Sequence, residues 1–259
     1  MGIVNVTPDS FSDGGRYLGH DAALAHARRL IAERADILDI GGESTRPGAQ
    51  PVDEAGEIAR TVPLIVAIRA ESPIPLSIDT MKPAVARAAI AAGATIWNDV
   101  AALRFAPDAP AIAAELGCEV VLMHMLGEPR TMQDAPHYDD VVAEVEAFLL
   151  ARAEVAIAAG VARGKLWLDP GIGFGKTVDH NLALLAALPR LAGHGYRVLL
   201  GASRKRFIAA LDPLGRDAGD RLGGSLAAAL HGARSGVAAV RVHDVRETVQ
   251  ALAVNAAIR

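Results

Sequence analysis

Eight short runs of Ile, Val and Leu recur along the chain, at 2–6, 35–41, 75–79, 95–100, 119–124, 165–169, 197–203 and 237–243. Nearly every run ends in a polar residue that a buried strand would not otherwise carry: Asn5, Asp39, Asp79, Asn98, His124, Asp169, Ser203 with Lys205, and Arg241 with His243. Apolar runs of this length are expected of strands covered on both faces, as in a parallel sheet. Between them, 21–34, 53–70, 83–92, 108–116, 139–159, 179–191, 219–235 and 244–257 read as helices, many opening on Asp or Pro as helix starts do. Strand then helix, eight times over, is the sequence form of a closed parallel barrel with helices outside, the (β/α)8 or TIM barrel. The C-terminal strand ends of such a barrel ring one active site, which is where the polar endings fall.

The two ends of the strands differ in their connections. Segments leading into strands are short and plain, such as Ala92-Gly93-Ala94. Segments after strands one and two, 7–19 and 42–51, are long and rich in Gly, Pro, Ser, Thr and Asp, and 125–138 after strand five is a third of this kind. Loops of that length and composition in a compact barrel are usually functional covers.

Length and composition suit one barrel domain over 1–259, since 51% hydrophobic residues supply a large core. The formal net charge is −4, from 26 basic and 30 acidic residues, with no Lys or Arg block, so neither nucleic acid nor an anionic membrane is expected as a partner. The single cysteine, Cys118, precedes an apolar strand and reads as a small core residue. The start has no basic segment followed by an apolar run, and no stretch is long enough to span a bilayer, so a cytoplasmic protein is expected.

Asp79, Asn98 and Asp169 come from three different strands and should meet at the mouth. One Asp at a strand end often only caps the next helix; three on separate strands point to a ligand with several N–H donors, to a metal, or to paired arginines. A flat 2-amino-4-oxo heterocycle offers such donors. Ser203 and Lys205 are two apart, as are Arg241 and His243, so each pair shares a side of an extended segment. Their convergence late in the barrel suggests an anionic ligand group, with salt bridges to the aspartates as the plainer reading. Two patterns mislead. Gly171-Ile-Gly-Phe-Gly-Lys-Thr177 resembles a phosphate loop, but Pro170 stands at its first glycine position. His124 has no second histidine at ligand spacing and reads as a wall of the site.

Residues 1–15, Met-Gly-Ile-Val-Asn-Val-Thr-Pro-Asp-Ser-Phe-Ser-Asp-Gly-Gly, and 39–48, Asp-Ile-Gly-Gly-Glu-Ser-Thr-Arg-Pro-Gly, resemble the first two signatures of the dihydropteroate synthases. Ser77-Ile-Asp-Thr80, Asn98-Asp-Val100, Asp169-Pro-Gly-Ile-Gly-Phe-Gly175, Ser203-Arg-Lys205 and Arg241-Val-His243 follow in that family's order and spacing. The resemblance spans essentially the whole chain. It implies that Asp79, Asn98, Asp169 and Lys205 hold a pterin ring, with Asp39 nearby. It further implies that Asn5, joined by Asp13, binds Mg2+, and that Thr45, Arg46, Arg241 and His243 surround a pyrophosphate. Ser203, Phe11, Pro47 and Phe174 are then expected near p-aminobenzoate, with Lys205, Arg241 and His243 as the catalytic cations. A homodimer through the helices after strands six to eight is also implied. The chain departs from the family in two places: its first strand begins at residue 2, where members carry a preceding segment across the barrel floor, and Arg206 stands where some members have serine.

The reaction so implied condenses 6-hydroxymethyl-7,8-dihydropterin diphosphate with p-aminobenzoate. Two rivals share the pterin pocket: a methyltetrahydrofolate-binding methyltransferase and a non-catalytic pterin-binding subunit. The first has no use for pyrophosphate ligands, and the second would be expected to lose them.

Overall fold

The computed structural model describes residues 1–6, 16–44, 50–127 and 131–258, and for residues 16–18 the backbone alone. The strands are β1 (Gly2–Asn5), β2 (Leu38–Gly41), β3 (Leu76–Asp79), β4 (Ile96–Asp99), β5 (Glu119–Met123), β6 (Leu166–Asp169), β7 (Arg197–Leu200) and β8 (Ala239–Val240). They pair in parallel in sequence order. A bridge between Gly2 and Val242 closes the cylinder, with Ile3 N–H donating to Val242 O at 3.1 Å and Val242 N–H to Met1 O at 2.9 Å. The fold is a (β/α)8 barrel.

Period-two alternation builds both the core and the site. Leu38, Ile40, Leu76, Ile78, Trp97, Val120, Leu122, Leu166, Leu168, Val198 and Leu200 join one apolar cluster with the surrounding helices. The residues between them face the barrel axis. Near the strand starts they include Ile96, Val121, Trp167 and Leu199, packed around Met1, together with buried Ser77 and the Glu119–Arg197 ion pair. Toward the strand ends the same parity delivers Asp39, Asp79, Asn98, Met123, Asp169 and Arg241. The apolar cluster therefore lies toward the floor, and the carboxylates, the amide and Arg241 gather at the mouth.

The helices are α1 (Arg16–Ala32), α2 (Glu54–Glu71), α3 (Pro83–Ala91), α4 (Ala109–Leu116), α5 (Val141–Ala158), α6 (Val178–Ala186), α7 (Leu188–Ala192), α8 (Arg206–Leu211), α9 (Leu222–Arg234) and α10 (Val245–Ala257). Three differ from the sequence reading. α1 starts at Arg16 rather than at residue 21, which shortens the first long connection. The helix read over 179–191 is two, because Pro189 cannot donate an N–H to a continuing helix and instead sits in the first turn of α7. α8 is six residues long, too short to show a helical period. The start at 53 is a true cap: Asp53 Oδ1 accepts Gly56 N–H at 2.7 Å. No described helix is long and apolar enough to cross a membrane.

Asp99, at the outer side of the β4 end, holds the turn that follows. Its two oxygens accept the N–H groups of Ala101 and Leu103, each at 2.7 Å, across residues 102 and 103 in left-handed conformation. Burial pushes its carboxyl up to about 7, against these two bonds. The folded state therefore holds a proton that the unfolded chain releases near pH 3.9. Stability from this group is full below that pH and is lost as pH rises through 7. Asp99→Asn is expected to flatten the fall in urea midpoint between pH 4 and 7, measured beside wild type; parallel curves would show that Asp99 is ionised throughout.

Candidate active site

At the mouth, the Arg241 guanidinium lies between two carboxylates. Its Nε donates to Asp39 Oδ2 at 2.5 Å and one terminal nitrogen donates to Asp79 Oδ2 at 2.7 Å. The Asp39 side chain is wholly buried, and Asn98 Nδ2 donates to its Oδ2 at 3.2 Å. Four strands therefore meet in one polar network, with Asp79 and Asn98 adjacent in the β3–β4 ladder. Burial, with Asp39 alongside, raises the Asp79 carboxyl to about 7 although Arg241 opposes it; the two carboxylates in turn raise Arg241, against its burial. The aspartates thus have arginine as a partner on the protein itself, as the plainer sequence reading had it. Lys205 does not join them and donates to Ile172 O at 2.6 Å.

Asp169 ends β6 and begins a glycine-rich turn. Its Oδ1 accepts Gly171 N–H at 2.7 Å, while Oδ2 lies toward Gly201, where a Cβ would stand 3.8 Å away. Burial raises this carboxyl as well. The turn is held at each carbonyl from 171 to 175. Phe174 N–H donates to Gly171 O at 3.1 Å, Lys205 to Ile172 O, and Gln133 Nε2 to Gly173 O at 2.6 Å. Lys176 Nζ reaches Phe174 O at 3.0 Å, and Tyr138 OH reaches Gly175 O at 2.8 Å. Gly171 is required: φ is +68°, and a Cβ would fall 1.9 Å from His124 O. The held turn places the Phe174 ring 4.0 Å from Lys205 Nζ. Phe174 also packs with Met81, Val100, Met123, Met125 and Met132 as an apolar wall beside the polar network.

Lys176 is buried and also lies 2.9 Å from His124 Nδ1. Burial lowers Lys176 to about 7 and His124 to about 3, so His124 is neutral and tied to protein. Burial lowers Lys205 to about 8, against the pull of Asp169.

Past β7 and β8 the two exits are joined by side chains. Ser203 Oγ lies 3.0 Å from His243 Nδ1, and Arg204 Nε and a terminal nitrogen bond both oxygens of Asp244 at 3.0 and 2.5 Å. Arg206 is exposed at the start of α8. Past β2, Glu43 Oε1 accepts Val52 N–H at 2.9 Å and its Oε2 meets Lys82 Nζ at 2.6 Å. Lys82 also holds buried Glu57 at 2.7 Å, so both flanks of the second long segment are fixed to α2 and the start of α3.

For a cation, the relevant donor is Asn5. Its ladder neighbour Gly41 keeps space above it, since a Cβ there would stand 3.6 Å from Asn5 Oδ1 and 3.8 Å from Asp79 Oδ2. Among the described residues no three His, Cys, Asp or Glu side chains gather around a common metal position. A hard amide oxygen beside open space is compatible with Mg2+, which keeps several waters and takes phosphate oxygens. Asp13, Thr45, Arg46, Phe11 and Pro47 lie outside the described residues.

A profile of pterin binding enzymes matches residues 1–243. The chain is 47% identical over 254 residues to dihydropteroate synthase of Escherichia coli (strain K12), covering 98% of this chain and 89% of that one. It is 49% identical over 264 residues to that of Mycobacterium leprae (strain TN), covering 98% and 91%. The chain belongs to the dihydropteroate synthase family. Among solved members, Xanthomonas albilineans dihydropteroate synthase with 4-aminobenzoic acid superposes with a TM-score of 0.93 at 54% identity, over 100% of this chain and 92% of that one. The same organism's enzyme in complex with 7,8-dihydropteroate gives 0.90 at 50% identity, with the same coverage.

Of the family residues expected from sequence, the structure brings Asp39, Asp79, Asn98 and Arg241 into direct contact, places Lys205 against Phe174, and pairs Ser203 with His243. It adds the methionine wall, Lys176, and the Glu43–Lys82–Glu57 cluster. Methionines at 81, 123, 125 and 132 carry no spacing signal, but Lys176 directly after the glycine turn was a legible cue. Gly171→Ala is expected to destabilise the fold by about 2 kcal/mol or more, from strain and backbone displacement. Gly164→Ala, where a Cβ meets nothing within 4 Å, should stay within about 0.5 kcal/mol. Urea unfolding of both variants decides it, and equal losses would mean the turn is not constrained.

Proposed function

We propose that this protein condenses 6-hydroxymethyl-7,8-dihydropterin diphosphate with p-aminobenzoate to give 7,8-dihydropteroate and pyrophosphate. The observation that carries the reading is the convergence of Asp79, Asn98 and Asp169 with Lys205 and Arg241 on one barrel mouth beside an apolar wall. Carboxylates and an amide match the N–H-rich edge of a pterin. Met123, Met125 and Phe174 offer a surface for a flat ring. Arg241 and His243, two apart at the β8 exit, would supply positive charge and a donor to a diphosphate.

In the bond-making step the arylamine nitrogen attacks the pterin methylene, the C–O bond breaks, and pyrophosphate leaves with its electron pair. The nitrogen then loses a proton to water. An arylamine needs no strong base to attack, and no protein nucleophile is called for. To the extent that the C–O bond breaks before the C–N bond forms, the methylene becomes positive, and Asp79 and Asp169 oppose that charge at short range. Arg241, held by two carboxylates, is oriented before substrate arrives, so little reorganisation is needed at the leaving group. Asn5 would hold Mg2+ through Oδ1, with Asp13 as its expected partner, and the ion when bound supplies positive charge for the pyrophosphate. Thr45 and Arg46 are expected to add contacts to the same group.

Supplying the pterin diphosphate, p-aminobenzoate and Mg2+ to the purified protein should release pyrophosphate and dihydropteroate in equal amounts. Methyl transfer from methyltetrahydrofolate, or pterin binding without turnover, would each replace this reading. Within it, Asp169→Asn keeps an acceptor for Gly171 but turns an NH2 toward a donor edge, so pterin affinity by calorimetry should fall about tenfold or more with the fold retained. Unchanged affinity would remove Asp169 from the pterin pocket.

The reading extends to a cytoplasmic homodimer. Large apolar side chains are exposed on the helices after strands six to eight: Leu182 on α6, Leu211 at the end of α8, Leu214 just past it, and Val254 on α10. Light scattering at micromolar concentration should give twice the chain mass, and Leu214→Glu should lower it; a monomeric wild type would count against the dimer.

A further inference from the structure

The family resemblance puts Ser203 near the aminobenzoate, and the geometry gives its Oγ a further occupation. Ser203 is buried, and its Oγ makes two contacts with one residue. It accepts the His243 backbone N–H at 3.2 Å and lies 3.0 Å from His243 Nδ1. A hydroxyl that accepts a backbone N–H still has its own hydrogen to place, and Nδ1 is the acceptor within reach. An Nδ1 that accepts is unprotonated, so the neutral ring carries its proton on Nε2.

The surroundings hold Ser203 in this position. The next residue, Arg204, takes a left-handed conformation with φ +57°, which a non-glycine side chain adopts only when its neighbours compel it. Its N–H donates to Ser225 Oγ at 2.9 Å, its carbonyl accepts from Arg221 at 2.9 Å, and its guanidinium grips Asp244. Backbone pairing between β7 and β8 ends with Arg241 N–H to Leu200 O. Beyond that point the pairs Ser203–His243 and Arg204–Asp244 continue the attachment, one residue after the other. Ser203 is thus part of the brace between two strand exits.

We propose that Ser203 is a positioning residue that fixes the tautomer and orientation of His243, so that the neutral imidazole acts through Nε2–H as a hydrogen-bond donor. A donor suits a phosphate oxygen of the leaving group. It excludes His243 from acting through Nε2 as a base or as a metal ligand while neutral. The kinetic part rests on the reading of function above; the tautomer does not.

Long-range proton–nitrogen correlation spectra of the full chain, labelled with 15N-histidine, test the tautomer above the His243 titration. His243→Gln identifies the signal. Wild type should show an unprotonated Nδ1 and a protonated Nε2. Ser203→Ala should mix the two tautomers, with a melting temperature near wild type reporting that the fold is intact, and Ser203→Thr should restore the wild-type pattern. In turnover, Ser203→Ala should lower kcat about tenfold, as for loss of one oriented hydrogen bond, with the KM for p-aminobenzoate within about twofold, and Ser203→Thr should recover kcat. A protonated Nδ1 in wild type, or an unchanged tautomer in Ser203→Ala, overturns the proposal. So does a mixed tautomer with unaltered kcat, or a KM effect that exceeds the kcat effect. Absence of turnover in wild type would sink the functional reading and leave the spectrum to judge the tautomer alone.

Discussion

Arg241 between Asp39 and Asp79 is the interaction on which the mouth depends. A buried carboxylate without a cationic partner costs several kcal/mol, and the apolar cluster of Met1, Ile96, Val121, Trp167 and Leu199 in the lining below supplies no such partner. One guanidinium has a fork of donors wide enough to meet carboxylates from two strands at once, which a lysine ammonium cannot reproduce with fixed geometry. Removing Arg241 would leave two neighbouring carboxylates to repel each other, and the raised carboxyl of Asp79 shows how near that balance already lies. The partner that makes the acidic mouth tolerable is also its principal cation.

Strand parity explains why this mouth can sit on a stable barrel. In β2, Leu38 and Ile40 pack outward while Asp39 faces the axis, and β3 repeats the arrangement with Leu76, Ile78 and Asp79. Each outward Leu or Ile contributes about 1.5–3 kcal/mol through burial. The apolar set is therefore insulated from changes in the polar one, and the chemistry of the mouth can be specialised without rebuilding the core. Asp99 marks the boundary: one residue past Asn98, it points to the other side and serves the turn instead of the mouth.

This parity is what made much of the fold and site legible in the sequence. Eight apolar runs with polar ends gave the strand order, and the endings Asp39, Asp79, Asn98, Asp169 and Arg241 gave the mouth, because a strand has one inward register to offer each of them. What escaped depends on contacts between segments far apart in sequence. The division of 179–191 was written locally in Pro189, yet the apolar period runs through it. Lys176 meets His124 across 52 positions and Lys82 meets Glu57 across 25, and no local period announces either pairing. The bond that Ser203 makes to His243 was hidden for the same reason. Its motif suggests a substrate contact, and only the approach of the β8 exit reveals the bond to His243.

The two sides of the mouth are held by different means, and this bears on how the site can work. On the β6 side, the turn from 171 to 175 has every carbonyl engaged, so Phe174 and Lys205 present a wall whose shape is set by protein contacts alone. On the β2 side, Arg60 donates to Gly42 O, and Glu43 accepts from Val52 N–H and meets Lys82, which also holds Glu57, so both flanks of the second long segment are fixed. A ring seated against the first side would meet groups already oriented, and that favours recognition with little ordering cost. A charged leaving group needs donors aligned with the charge that develops on it, and alignment is of value only where the donors cannot turn away. Arg241, clamped by two carboxylates, and His243, bonded to Ser203 through both backbone and ring, meet that requirement from positions two apart on one strand exit. The same contacts that brace β8 against its neighbours thereby orient the cation and the donor that the proposed reaction would use at its leaving group.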